Sequence, residues 1–189
     1  FGGTFDPPHL GHLIAAQDAL EELGLDRVRF VPAQASPFKT EDRETSPSER
    51  LAMVEAAIAG HDDFELCRDE LDRPAPSYTI DTVRALRAAE PEVELTLLIG
   101  VDQWASLARW RDPLELATLA RLAVLAREGQ DPTQVHPGLE VDWMQVDVTR
   151  IDISSSQIRA RRRAGRSIRY LVPDAVRTLI ESKGLYVTC

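Results

Sequence analysis

Two histidines three residues apart, set behind a pair of glycines, are the first residues in this chain whose types and spacing could do chemistry. The chain opens Phe1-Gly2-Gly3-Thr4-Phe5-Asp6-Pro7-Pro8-His9-Leu10-Gly11-His12. Two glycines permit a tight turn, and Pro7 and Pro8 stiffen the approach to a helix. His9 and His12 then share one face of the first helical turn. That face adjoins unpaired backbone N–H groups and the positive end of the helix dipole, which together favour an anion. Two imidazoles there can donate hydrogen bonds to phosphate oxygens without a permanent charge. Gly11 lets a ligand approach the backbone closely. The plain alternative is a glycine turn followed by two surface histidines. A metal site is the other, but it lacks an obvious third ligand, so no metal ligand is named. The glycine spacing is neither a Walker loop nor the dinucleotide fingerprint.

Other segments carry the same kind of signal. Ile153-Ser154-Ser155-Ser156-Gln157-Ile158-Arg159 opens a helix with three hydroxyl residues and puts Arg159 on its first turns. Alone it reads equally as an N-cap on a solvated basic helix, since Arg161, Arg162, Arg163 and Arg166 follow. Gly100-Val101-Asp102 ends the most apolar strand, and strand ends carry ligands in doubly wound sheets. Asp102 could instead be a helix N-cap. Ser77, Tyr78 and Thr79 open a helix behind Pro76, where Ser77 or Thr79 would serve as a simple cap. Trp110 stands between two arginines and a helix cap, so Trp143, in a strand, is the better core tryptophan. Lys39 lies in a polar loop and by itself is a surface lysine.

The elements that must position these residues alternate. Apolar spacing predicts helices over residues 10–23, 46–60, 79–89, 154–164 and 173–183, with a Ser46-Pro47-Ser48-Glu49 capping box on the second, and Asp112-Pro113-Leu114-Glu115 caps another short helix. Strands are predicted over residues 27–32, 94–100, 121–127 and 143–148, and Phe64 to Leu66 starts another that Pro74-Ala75-Pro76-Ser77 breaks. Strands alternating with helices over about 150 residues predict an α/β domain with a parallel sheet covered on both faces. Residues 1–150 form that domain, and residues 151–189 a helical appendage that completes the same site. Because the chain begins at Phe1 rather than Met and runs straight into glycines, a few strand residues are expected upstream.

The bulk numbers narrow the class. The chain has 189 residues, 43% hydrophobic and 28% charged, which suits one packed domain and argues against disorder. A net charge of −9 disfavours duplex nucleic acid and anionic membranes as partners. Two cysteines are too few for a disulfide framework, and with no membrane span or signal peptide the composition reads as cytoplasmic. The basic run from Arg159 to Arg169 reads either as a subunit contact in a homo-oligomer or as a solvated face.

Taken together the strings resemble a known family. Gly2 to His12 is similar to the GGTFDP…HxGH signature of the nucleotidyltransferase superfamily, and Ile153 to Arg159 to its ISSTxIR motif. Within it the chain resembles the bacterial nicotinate-nucleotide adenylyltransferases. The carriers are Pro76-Ser77-Tyr78-Thr79-Ile80-Asp81-Thr82, the G-x-D of Gly100 and Asp102, Trp110, and Tyr170-Leu171-Val172-Pro173 with Leu185-Tyr186. The family carries basic residues in a proline-proline-histidine-basic string where this chain reads Ser36-Pro37-Phe38-Lys39. Phe38 replaces the usual His while Lys39 keeps the basic position.

The resemblance implies a Rossmann-like fold and transfer of AMP from ATP to nicotinate mononucleotide in NAD biosynthesis, with pyrophosphate released. It gives ATP to Gly2, Gly3, Thr4, Phe5, His9, His12, Gly100, Asp102, Ile153, Ser154, Ser155, Ser156 and Arg159. The acceptor falls to Thr4, Lys39, Ser77, Tyr78, Thr79 and Trp110, and phosphate charge to His9, His12, Lys39 and Arg159. Mg²⁺ is expected on the ATP phosphates. The alternatives are a pantetheine-phosphate adenylyltransferase, opposed by Tyr78, Thr79 and Trp110, a non-catalytic nucleotide-binding protein, and a zinc module.

Overall fold

A computed structural model describes residues 1–34, 45–127 and 129–187. Lys39 and Phe38 lie outside the described residues. The first half runs β1 (Gly2–Gly3), α1 (Leu10–Glu22), β2 (Val28–Pro32), α2 (Pro47–Ile58) and β3 (Phe64–Leu66). After α3 (Thr79–Ala89), the second half runs β4 (Thr96–Gly100), α4 (Val101–Trp104), a 3-10 turn over Leu107–Arg109, α5 (Pro113–Leu119), β5 (Arg121–Arg127) and β6 (Trp143–Val148). The chain closes with α6 (Ser155–Arg163) and α7 (Asp174–Ser182).

All strand pairings are parallel, and they form two three-stranded sheets, β1-β2-β3 and β4-β5-β6. The single sheet expected from the pattern is therefore two hydrogen-bonded halves, because β1 is only two residues long. Gly2 and Gly3 are themselves strand, opposite Val31 and Pro32, so the turn expected at the glycines is made instead by Thr4 to Pro8.

Both faces are covered, as alternation along β4 and β5 shows. Leu98, Ala123 and Leu125 join one apolar cluster with α1, α2 and β2. Ile99, Leu122 and Val124, one residue out of step, join another with α3 and α5. Successive strand residues point to opposite faces, so this is the doubly wound arrangement. Ile158, Ile168, Val176, Ile180 and Tyr186 of the closing segment enter the first cluster. Fully burying such an aliphatic side chain is worth roughly 1.5–3 kcal/mol. Among the described residues no helix is long and apolar enough to cross a membrane.

Local chemistry sets the helix ends. Ser46 Oγ accepts from the Glu49 N–H at 3.2 Å and Glu49 Oε2 accepts from the Ser46 N–H at 2.7 Å, the capping box the sequence predicts. Asp112, expected as a cap of α5, makes no side-chain cap and instead pairs with Arg84 of α3 at 3.1 Å. The core tryptophan is Trp104, 2% exposed, with its indole N–H donated to Val135 O at 2.9 Å. Trp143 is half-buried against it, ring centroids 4.9 Å apart.

Candidate active site

The Thr4–Pro8 turn leaves β1 and delivers the chain to α1. His9 is not in the helix but is its N-cap, in extended conformation. Its ring stacks on that of His12, with centroids 3.7 Å apart and planes 27° apart. Gly11 makes this contact feasible, since a Cβ there would lie 3.2 Å from His9 Nδ1 and 3.3 Å from Cε1. Phe5 meets the other side of His12 edge-on at 5.0 Å.

The His9 backbone N–H donates to His12 Nδ1 at 3.1 Å. An accepting Nδ1 puts the proton of the neutral ring on Nε2, so His12 presents a donor. Burial, then the charge of Arg127, pushes His9 down from 6.5 to about 4. Burial, then His9 and Arg127, holds His12 well below its ordinary value. Both imidazoles are thus neutral near pH 7, as expected from the sequence. The surface-histidine alternative does not hold, because His9 is 4% exposed.

The second motif docks onto the first. Ser155 Oγ donates to Pro7 O at 2.9 Å, and Arg159 Nη1 donates to Asp6 O at 2.9 Å. Ser154 caps α6, accepting from the Gln157 N–H at 3.2 Å. The Ser155 and Ser156 N–H groups have no acceptor among the described residues, which leaves the positive end of α6 open beside the histidines.

The third element is the start of α3. Tyr78 is its N-cap without a side-chain cap. The expected cap by Ser77 is not made, because Ser77 Oγ accepts from Arg73 at 3.2 Å. The Tyr78 and Thr79 N–H groups have no acceptor among the described residues. Arg111 stacks over the Tyr78 ring at 4.8 Å, and neighbouring Trp110 is half-buried with its N–H toward Ser106 Oγ at 3.4 Å. Arg84 ties α3 to α5 through Glu115 and Asp112, which fixes this side of the site.

One cleft gathers these pieces. It has a volume of about 2010 Å³ and is lined by every expected site residue among the described ones. That exceeds the ~300–1000 Å³ of a single small-molecule pocket, because the cleft continues along the seam between β1 and β4, past Phe1 and Leu97. Asp102 is not an N-cap. Gly100 is, and Asp102 stands exposed on the first turn of α4 with its carboxylate in the cleft. Among the described residues no three His, Cys, Asp or Glu side chains are grouped to hold a metal ion.

Residues outside the motifs hold the site in place. Arg50 of α2 is fully buried and donates to Thr4 O at 2.9 Å and Ala33 O at 2.6 Å, joining the ends of β1 and β2. The Asp6 carboxylate, also buried, accepts from Thr45 Oγ1 at 2.7 Å and Tyr186 Oη at 2.6 Å. Arg50 had a signal in the sequence: it shares the buried stripe of Met53, Val54, Ala57 and Ile58 at helical spacing. Asp6 and Tyr186, 180 positions apart, had none.

A cytidylyltransferase-like family model matches residues 1–161. A relative from Geobacillus thermodenitrificans, named a probable nicotinate-nucleotide adenylyltransferase, is 44% identical over 98% of this chain and 84% of its own length. The chain belongs to the nicotinate-nucleotide adenylyltransferase family. A member from Salinibacter ruber is 38% identical over 98% of this chain and 95% of its own. The fold is also that of the Plasmodium falciparum nicotinic acid mononucleotide adenylyltransferase in complex with NaAD. The TM-score is 0.76 at 17% identity, covering 98% of this chain and 94% of that one. In this chain the starts of α1, α3 and α6 line one cleft.

Proposed function

We propose that this enzyme transfers the adenylyl group of ATP to nicotinate mononucleotide, giving nicotinate adenine dinucleotide and pyrophosphate, a step of NAD biosynthesis. The observation that carries the reading is the stacked, neutral pair His9 and His12, which shares one cleft with the open starts of α6 and α3.

The acceptor phosphate is an anion at neutral pH, so its oxygen attacks the α-phosphorus without a general base. The bond to the β-phosphate breaks, and its electron pair leaves on pyrophosphate. Catalysis is positioning and charge stabilisation. His12 Nε2–H, His9, the Ser155 and Ser156 N–H groups, Arg159 and Lys39 serve the phosphates. Asp102 accepts from ribose hydroxyls. Trp110 stacks on the pyridine ring, and the Tyr78 and Thr79 N–H groups receive its carboxylate. Mg²⁺, if carried in on the ATP phosphates, would supply further charge neutralisation beside these donors.

The test supplies ATP and Mg²⁺ with nicotinate mononucleotide, nicotinamide mononucleotide or phosphopantetheine and scores pyrophosphate release. A carboxamide would leave its NH₂ facing donors, an unpaired contact costing about 1–3 kcal/mol, or roughly 5- to 150-fold in kcat/KM. Equal use of the two mononucleotides refutes carboxylate selection, and release only with phosphopantetheine refutes the acceptor.

A further inference from the structure

Arg127 is the last residue of β5, where it stands opposite Val148 of β6, while Leu125 stands opposite Gly100 of β4. β5 and β6 thus end together, two residues beyond the end of β4, and such carboxyl ends are where doubly wound sheets hold ligands. The main chain of Arg127 is fixed. Its N–H donates to Gln130 Oε1 at 3.3 Å, and its carbonyl accepts from the Gln130 N–H at 2.8 Å. Its side chain is exposed and lines the cleft.

Most other arginines near the cleft are spent on carboxylates. Arg27 and Arg29 pair with Glu65, Arg84 with Glu115, Arg111 with Asp81 and Arg121 with Glu94. Arg127 pairs with no carboxylate among the described residues. Its charge nevertheless reaches both histidine rings, which it helps to keep neutral. A cation that acts on two neutral imidazoles and has no carboxylate partner among the described residues fits a polyanion. A guanidinium can hold two phosphate oxygens at once through its fork.

We propose that Arg127 is a further catalytic residue, which binds the β- and γ-phosphates of ATP and takes up the charge of the departing pyrophosphate. The proposal rests on the adenylyl-transfer reading above. As the acceptor oxygen bonds to the α-phosphorus and the bond to the β-phosphate breaks, the bridging oxygen gains negative charge and no proton or redox change is needed. Its charge acts on the two histidine rings at the strand ends, so we assign it to the leaving group rather than to the pyridine ring.

The experiment measures Arg127→Ala and Arg127→Lys in the full chain, varying ATP and nicotinate mononucleotide separately and adding pyrophosphate as product inhibitor. The Ala variant is expected to lower kcat by about 10²–10³, the loss typical of one preorganised donor. It should also raise the KM for ATP and the inhibition constant of pyrophosphate together, with the KM for nicotinate mononucleotide unchanged. The Lys variant restores part of the loss, having the charge without the fork. Unchanged constants for ATP and pyrophosphate, or an equal loss for the acceptor, overturn the proposal. Should the wild type make no dinucleotide, the adenylyl-transfer reading fails first. Calorimetric binding of pyrophosphate to wild type and Arg127→Ala then decides Arg127 alone, and equal affinities reject it.

Discussion

His9 should make this protein acid-sensitive, by an amount the geometry sets. The ring is 4% exposed, and burial followed by the charge of Arg127 brings it from 6.5 to about 4. Between those values the unfolded chain binds a proton at this position and the folded chain does not. Stability therefore rises with pH across that window, and the whole penalty is present below about pH 4. A shift of about 2.5 units at ~1.36 kcal/mol each is about 3 kcal/mol. That is a large part of the ~5–15 kcal/mol that holds a domain together. His12 acts in the same direction. Glu70 acts against both, because burial raises its carboxyl above the usual range and its protonation favours the folded state. The wild-type curve is thus composite, and His9→Gln, which cannot titrate, isolates the term. Urea unfolding of both proteins from about pH 7.5 down to about pH 4 measures it. The stability of His9→Gln relative to wild type should improve on acidification by about 3 kcal/mol. A difference independent of pH would refute the claim that His9 is held neutral by its surroundings.

Other substitutions test the supports of the site. Gly11→Ala puts a Cβ 3.2 Å from His9 Nδ1 and should displace the ring. Turnover should fall by up to about 10²-fold while the helix gains roughly 0.5–1 kcal/mol, so a near-normal kcat would show that the stacking does not matter. Asp6→Ala strands the buried hydroxyls of Thr45 and Tyr186 and should destabilise by about 2–5 kcal/mol in chemical denaturation. A loss below about 1 kcal/mol would mean that these hydroxyls find other acceptors. Trp110→Ala should weaken nicotinate and nicotinamide mononucleotide alike, by about 1–3 kcal/mol in kcat/KM if stacking on bases is a fair guide. A collapsed preference ratio would place acceptor selection on Trp110 instead of the α3 backbone.

What the sequence made legible was local. The bounds of α3, β5 and β6 match the expectation residue for residue, because a turn signal sits at each end and the periodicity changes there. The short α4 and the 3-10 turn after it were not foreseen, since four and three residues show no helical period. Trp104 belongs to that unforeseen stretch, so its burial was invisible, whereas Trp143 attracted the core reading by standing in a strand. The two phosphate motifs were legible because each is a run of a few residues with its own backbone geometry. Arg127 was not singled out, since a terminal arginine on an apolar strand is usually a solvated end, and only the fold shows that this end opens on the histidines.

The hydrogen bonds of the second motif alter how it should be understood. Its residue types suggest that hydroxyls and guanidinium all go to the triphosphate. Yet the Ser155 proton is given to Pro7 O, one Arg159 nitrogen to Asp6 O, and Ser154 to the start of its own helix. These bonds join α6 to the turn that carries His9, so part of the motif holds the site together before any ligand arrives. On the proposed function, the groups left for the triphosphate are then chiefly the Ser155 and Ser156 N–H donors and the dipole behind them. A helix start binds phosphate with such groups whatever the side chains are. The side chains matter because they fix where that start points. The carbonyls of Asp6 and Pro7 are their acceptors, so any displacement of the histidine turn must also displace the anion site. The two motifs act as one unit for this reason, although some 140 residues separate them in the chain.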